Sequence, residues 1–201
     1  MPKRHRHTKS QLNNLSVNAD PQHPVYREAM TAIQKRLQYM TDKHCQVFVG
    51  HLEFRFPPEM EPQDNNQHIS NAIRKCRMKL KREKIDTQLV WAREQRTSEQ
   101  PHYHCYPICD GNEVQSAVRI ARFFNDVWAR EIGCPSDSNY VRYCPPQGQA
   151  EGGTGIRIRR NAPDTESRLN DASHWMSYAA KVSEKEKTPG GCRMFGFTEI
   201  P

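Results

Sequence analysis

Two histidines stand one residue apart in "QPHYHCYPIC": His102 and His104, with Tyr103 between them. In a β-strand such a pair projects from one face, where two imidazoles can pack, titrate or hold a metal ion. Glu94 closes the preceding strand-like run "DTQLVWAREQ". A turn centred near Ser98 or Glu99 pairs it with His102 or His104, and cross-strand neighbours on one face lie about 5 Å apart. A register slip of one residue presents Gln95 instead. Glu53, in "QVFVGHLEFRFPP", is the third candidate, with Arg55 on the same face two residues on. Two imidazoles and one carboxylate with open positions suit a divalent metal that must also take a substrate oxygen. Zinc held by His102, His104, Cys105 and Cys109 is a rival set. In a regular strand, however, both cysteines face away from the histidines, which strains a single tetrahedral site.

A second group of reactive residues lies in "SHWMSYAAKVSEK". Tyr178 and Lys181 are three residues apart and share a helical face, with His174 and Lys185 roughly along it. A tyrosine hydroxyl titrates near pH 10 and is a poor nucleophile at neutral pH. A nearby ammonium stabilises its phenolate or offsets charge developing on a phosphate. The same spacing also arises in any amphipathic surface helix. In "GIRIRR", Arg157 and Arg159 point one way from a strand. They suit either phosphate neutralisation or the charged protection of an edge strand. For Arg55 the plain alternative is an ion pair with Glu53.

The elements that must carry these residues follow from periodicity. Residues 1–20 are polar, carry Lys3, Arg4, Arg6 and Lys9, and read as a flexible basic arm. Residues 21–44 hold an N-terminal helix, with Val25, Ala29, Ile33 and Leu37 at helical intervals. Next comes a strand with Phe48, Leu52, Phe54 and Phe56 on one face; Val47, Val49, His51, Glu53 and Arg55 occupy the other. "DNNQHISNAIRKCRMKLKRE" reads as an amphipathic basic helix with Ile69, Ile73, Cys76 and Leu80 on one stripe. A hairpin follows, then a helix through Val114, Val118, Ala121 and Phe124 that ends at Gly133. Two short strands, "NYVRYC" and "GIRIRR", flank a Gly- and Pro-rich loop. A last helix spans "TESRLNDASHWMSYAAKVSEKEK", and "GGCRMFGFTEI" adds a terminal strand.

The order strand, helix, strand, strand, helix, strand is an α+β, ferredoxin-like (split βαβ) arrangement. It implies an antiparallel sheet with helices on one face, the other face free, and flanking N- and C-terminal helices added. The His102/His104 strand is then central and lies beside the strand of His51–Arg55.

Composition bounds the function. Of 201 residues, 35% are hydrophobic and 26% charged, and the formal net charge of +7 favours a polyanionic partner. A mean hydropathy of −0.93 and the lack of any apolar run near 20 residues argue against a membrane span. Seven cysteines, an odd and scattered set, behind a basic start without an apolar signal stretch, fit reduced thiols in a cytoplasm.

Taken together, Glu53, Glu94, His102-Tyr103-His104 and the late Tyr178-x-x-Lys181 resemble the HUH endonucleases, in which two histidines flank a bulky residue. "VWAREQRTSEQPHYH", "SYAAKVSEK" and "RMFGF" are similar to the single-tyrosine rolling-circle replication initiators, nearest those of filamentous phages and related prophage elements. The resemblance covers residues 45–198, and residues 45–201 would form the nicking domain. It implies that His102 and His104 hold Mg²⁺ or Mn²⁺ with Glu94 as third ligand, and that Tyr178 attacks a phosphodiester of single-stranded origin DNA. The products would be a 5′-phosphotyrosine and a free 3′-OH; Lys181 would orient the tyrosine or steady the phosphate. Host helicase and polymerase are the implied partners. Cys105 and Tyr106 depart from the aliphatic residues expected after the histidines. Two other classes stay open: a non-catalytic sheet that stacks single-stranded nucleic acid, and a structural zinc protein.

Overall fold

A computed structural model describes residues 4–95, 98–146, 153–185 and 187–201. In chain order the elements are β1 (Arg6–His7), β2 (Gln11–Leu12), β3 (Leu15–Ser16), β4 (Val25–Tyr26), α1 (Arg27–Lys43), β5 (Gln46–Gly50), β6 (Leu52–Phe54), α2 (Gln67–Arg82), β7 (Thr87–Glu94), β8 (His102–Asp110), α3 (Ala117–Glu131), β9 (Val141–Tyr143), β10 (Gly155–Arg159), α4 (Thr165–Met176) and β11 (Phe195–Phe197). The run from β5 to β10, with α2 and α3, forms the expected α+β core.

The main sheet is antiparallel, with β8 at its centre. On one side β8 pairs with β7, and β7 with β11. On the other it pairs with β5 and β6, one strand interrupted at His51, whose outer neighbours are β10 and β9. The register sets Glu94 opposite His102 and Glu53 opposite His104.

Alternation along these strands builds two cores. Phe48, Leu52, Phe54, Trp91, Tyr103 and Cys105 pack under α2 and α3. Val47, Val49, Val90, Tyr106 and Ile108 pack against Met30, Ile33 and Leu37 of α1 and Met176 of α4. Burial of each such aliphatic side chain contributes about 1.5–3 kcal/mol. The sheet face expected to be free is therefore covered over much of its area by the flanking helices. α3 starts at Ser116, whose hydroxyl accepts from the Val118 N–H, and stops at Gly133, which takes φ +72.

Residues 4–20, expected as a flexible arm, and 21–26, expected within the N-terminal helix, instead carry two small ladders, β1 with β4 and β2 with β3, and α1 starts only at Arg27. Leu12, Val17, Ala19 and Val25 join the second core, and the Asn170 carboxamide accepts from the Ser16 N–H. Leu12, Val17 and Ala19 stand at irregular spacing and leave no periodic signal, although each is buried, while Val25 continues the helical spacing of α1 but lies in β4. Lys3 lies outside the described residues, as does most of the Gly- and Pro-rich loop before β10. The last helix also differs. α4 ends at Met176, a 3-10 turn takes Ser177–Ala180, and Lys181 is extended, bridging to Val25. No helix among the described residues is long and apolar enough to cross a membrane.

Candidate active site

The even-numbered residues of β7 and β8 and the odd-numbered residues of the β5–β6 strand face α1 and α4. Toward one end of these strands, the alternation delivers Glu94, His102, His104, His51 and Glu53 instead of aliphatic side chains. Ligand atoms of Glu53, His102 and His104 all lie within 4.8 Å of one another and could hold a metal ion. His102 Nε2 is 3.8 Å from Glu53 Oε1.

Glu94, the third ligand that the resemblance implies, occupies the same space. Its Oε2 is 3.0 Å from His104 Nε2 and 3.6 Å from His102 Nε2, while Oε1 accepts from Lys185 Nζ at 2.8 Å. Both members of the Glu94–Lys185 pair are fully buried. Burial alone would raise the Glu94 pKa; the two imidazoles and the Lys185 ammonium outweigh it and hold the carboxyl well below the usual range. Glu94 Oε2 and His104 Nε2 are close and buried, yet neither makes a hydrogen bond of acceptable geometry. Two adjacent, unsatisfied buried polar atoms are costly, and a cation between them would satisfy both. The donor set therefore fits a divalent metal.

His51 orients this cluster. Its Nε2 lies 2.8 Å from His104 Nδ1, and its ring stacks on Tyr106 at 4.2 Å and 8°. Burial first, and His104 second, push the His51 pKa well below its ordinary value, so the ring stays neutral. If His104 offers Nε2 to a metal, its Nδ1–H must donate to His51 Nε2, the arrangement by which ligating histidines are held in one tautomer.

Tyr178 packs edge-on against His104, ring centroids 5.2 Å apart, and Lys181 Nζ sits 4.8 Å from the Tyr178 ring. Both line a cleft of about 850 Å³ together with His51, Glu53, His104 and Trp175. The tyrosine and the metal-type cluster, 74 residues apart in sequence between His104 and Tyr178, thus meet in one cavity.

Other candidates are placed elsewhere. Gln95 accepts from Arg93 Nη2 at 3.1 Å and donates to the Glu99 carbonyl, which commits it to the hairpin. Arg55 donates to Glu53 Oε1 at 2.9 Å, the plain alternative. Arg157 and Arg159 are exposed on β10, opposite Phe48 and Gln46, and Arg157 donates to Gln115. They lie on the α2/α3 side of the sheet, away from the cleft. Cys105 and Cys109 are buried in the core of that side, so a site shared with the histidines does not form. Tyr106 is fully buried and offers no face for stacking a base. Lys185, expected roughly along the face of Tyr178 and Lys181, is instead fully buried against Glu94, and nothing in "KVSEKEK" marks that burial locally.

A sequence model of the YagK/YfjJ C-terminal domain matches residues 7–198. The chain belongs to that family. The family match takes in most of the folded N-terminal segment as well as the sheet. No curated protein matches this YagK/YfjJ-type chain. Among solved structures it is similar to the N-terminal nuclease domain of the minute virus of mice non-structural protein 1. That domain is described as having a unique Zn²⁺ coordination in its active-site pocket and a novel mode of DNA recognition at the origin of replication. The likeness is 10% identity over 65% of this chain and 77% of that one, with a TM-score of 0.36. A superposition that loose bears on neither reaction nor metal.

Proposed function

We propose that this YagK/YfjJ-type protein nicks and rejoins single-stranded origin DNA, with Tyr178 as nucleophile and His102, His104 and Glu94 as ligands of Mg²⁺ or Mn²⁺. Glu53 is a further donor on the same face. The observation that carries the reading is the packing of Tyr178 in the cleft against His104, whose Nε2 is an orphaned buried atom beside Glu94 Oε2. A bound divalent ion would polarise the scissile phosphate and offset charge building on its oxygens.

The chain's own groups do the rest. Tyr178 Oη adds to phosphorus in line with the leaving 3′-oxygen; the phenol proton is lost, and the 3′-oxygen gains one as it leaves. One phosphoester forms as another breaks, so a 5′-phosphotyrosine and a free 3′-OH result. Lys181, above the Tyr178 ring, favours the phenolate and balances phosphate charge. Attack by a later 3′-OH reverses the step and reseals the strand without a nucleotide cofactor. The free 3′-OH would prime synthesis, which makes a host helicase and polymerase the partners such a reaction calls on. Replication of a phage or other mobile element is the setting that fits.

The test is to incubate the protein and Mn²⁺ with a randomised single-stranded pool and sequence the new 3′ ends. A recurring cut site, lost with chelator and in Tyr178→Phe, is expected. A pool left uncut by folded protein across Mg²⁺, Mn²⁺ and Zn²⁺ would count against the reading.

A further inference from the structure

Far from the cleft, a groove of about 560 Å³ runs between the end of α1, the C-terminal half of α2 and the start of β7. Thr87 borders this groove and pairs with Cys109, while His104 of the same strand as Cys109 borders the cleft, so five strand residues, roughly 17 Å, separate them. Arg74, Arg77, Lys81 and Lys84 line it at spacings of three, four and three, a single row down one side of α2 and its end. The neighbouring cations of α2 that face α3 are engaged: Lys75 with Glu131, and Lys79 over the Phe123 ring at 4.0 Å. Those of α2 along the groove are not, whereas Lys43, on its α1 side, pairs at 2.8 Å with Asp86, one of two carboxylates in the lining with Glu199. Arg77, Lys81 and Lys84 are exposed and make no ion pair or side-chain hydrogen bond among the described residues, and Arg74 touches only the Met78 sulfur. Like charges at three- and four-residue spacing repel along a helix. The helix C-terminus offsets that for its last turn only, so Arg74 and Arg77 gain nothing from it.

We propose that this groove is a second binding site, which takes the sugar-phosphate backbone of double-stranded DNA. The row spans ten residues, about 15 Å at 1.5 Å per residue. Each strand of a duplex carries a charge about every 3.4 Å of the helix axis, and because the strand winds as it rises its phosphates lie farther apart than that, so the row can meet about two or three of them. Single strands are held by stacking as well as charge. Among the described residues lining this groove the aromatic ring is that of Tyr39, and Lys43 Nζ already lies over its face, 5.5 Å from the centroid, so a base has to compete for the platform. A backbone is what the row matches. The inference deepens the DNA-processing reading and rests on it for its biological sense: the cleft would work on a single strand while α2 holds the adjoining duplex.

The experiment compares the full chain with Arg77→Ala/Lys81→Ala/Lys84→Ala, three exposed positions outside the cleft. Binding to a 30-base-pair duplex of arbitrary sequence is followed by fluorescence anisotropy across a salt series. Each lost phosphate contact lowers the slope of log K against log salt by about 0.9. The triple variant should therefore lose up to about 2.7 from the slope and at least tenfold in affinity at low salt, while cutting a short single-stranded substrate as the parent does. An unchanged slope and affinity, or a parent that binds no duplex, overturns the proposal; so does a variant that loses binding to an acidic protein but not to duplex. A chain that cuts no DNA yet shows the slope change would sink the nicking reading and leave the groove standing.

Discussion

Replacing Lys185 by methionine should be strongly destabilising. Lys185 Nζ and Glu94 Oε1 are 2.8 Å apart and both side chains have no solvent exposure. At an effective dielectric of about 20 the direct attraction at that distance is about 6 kcal/mol, most of it offset by desolvation of the two ions. Removing the ammonium keeps the desolvation of Glu94 and loses the attraction. Breaking one side of such a buried pair destabilises by about 3–5 kcal/mol. Urea unfolding at pH 7 measures the difference, with the m-value as the check that the same surface unfolds. Glu94→Gln/Lys185→Met, which removes both charges, should recover more than half of the loss. The deficit should also narrow below about pH 4: as Glu94 of the variant takes up a proton, it no longer needs a counter-ion. A loss under about 1 kcal/mol, or a double variant no better than the single, would refute the assignment of Lys185 as the partner that keeps Glu94 ionised inside the sheet.

Other outcomes follow from the same geometry. His51→Leu removes the acceptor that orients His104, and Mn²⁺ affinity by calorimetric titration should fall about 10- to 100-fold; an unchanged affinity would show that His51 only packs. Mn²⁺ at a hundredfold excess over its dissociation constant should stabilise the fold by about 2.7 kcal/mol, and His102→Ala/His104→Ala should abolish that gain. Burial pushes the thiols of Cys76 and Cys105 up, and that of Cys109 to about 12. Unfolded thiols titrate near 8.5, so above that pH the native state holds the extra protons and stability falls as pH rises, by about 1.4 kcal/mol per unit for each thiol. Urea melts between pH 8 and 10 test this, and a flat response would mean that water reaches these cysteines.

The strand pattern is legible in the sequence because a two-residue period is a strong signal when one face is apolar. Phe48, Leu52 and Phe54 set the parity of the β5–β6 strand, and that parity alone puts Glu53 and His51 on the opposite, reactive face. The pairing of Glu94 with His102 follows from hairpin length. What leaves no local trace is tertiary. Lys185 sits in a charge run indistinguishable from a solvated tail, and its burial depends on a turn after Ala180 that no periodicity encodes. The 3-10 turn holding Tyr178 reads as a continuation of α4 because "MSYAAKV" is a good helical sequence; the Lys181 bridge to Val25 and the Val182 N–H bond to the Pro24 carbonyl override it. The N-terminal segment reads as an arm for a similar reason: its anchors are few, irregular and meaningful only against α1 and α4.

The most direct test of the central claim is to trap the covalent product. The protein would be incubated with its cut sequence and Mn²⁺, denatured in SDS, digested, and the DNA-bearing peptide sequenced by mass spectrometry. A phosphodiester on Tyr178, absent in Tyr178→Phe and in His102→Ala/His104→Ala, is the predicted result. Cleavage without any adduct, or an adduct on a different tyrosine, would contradict it.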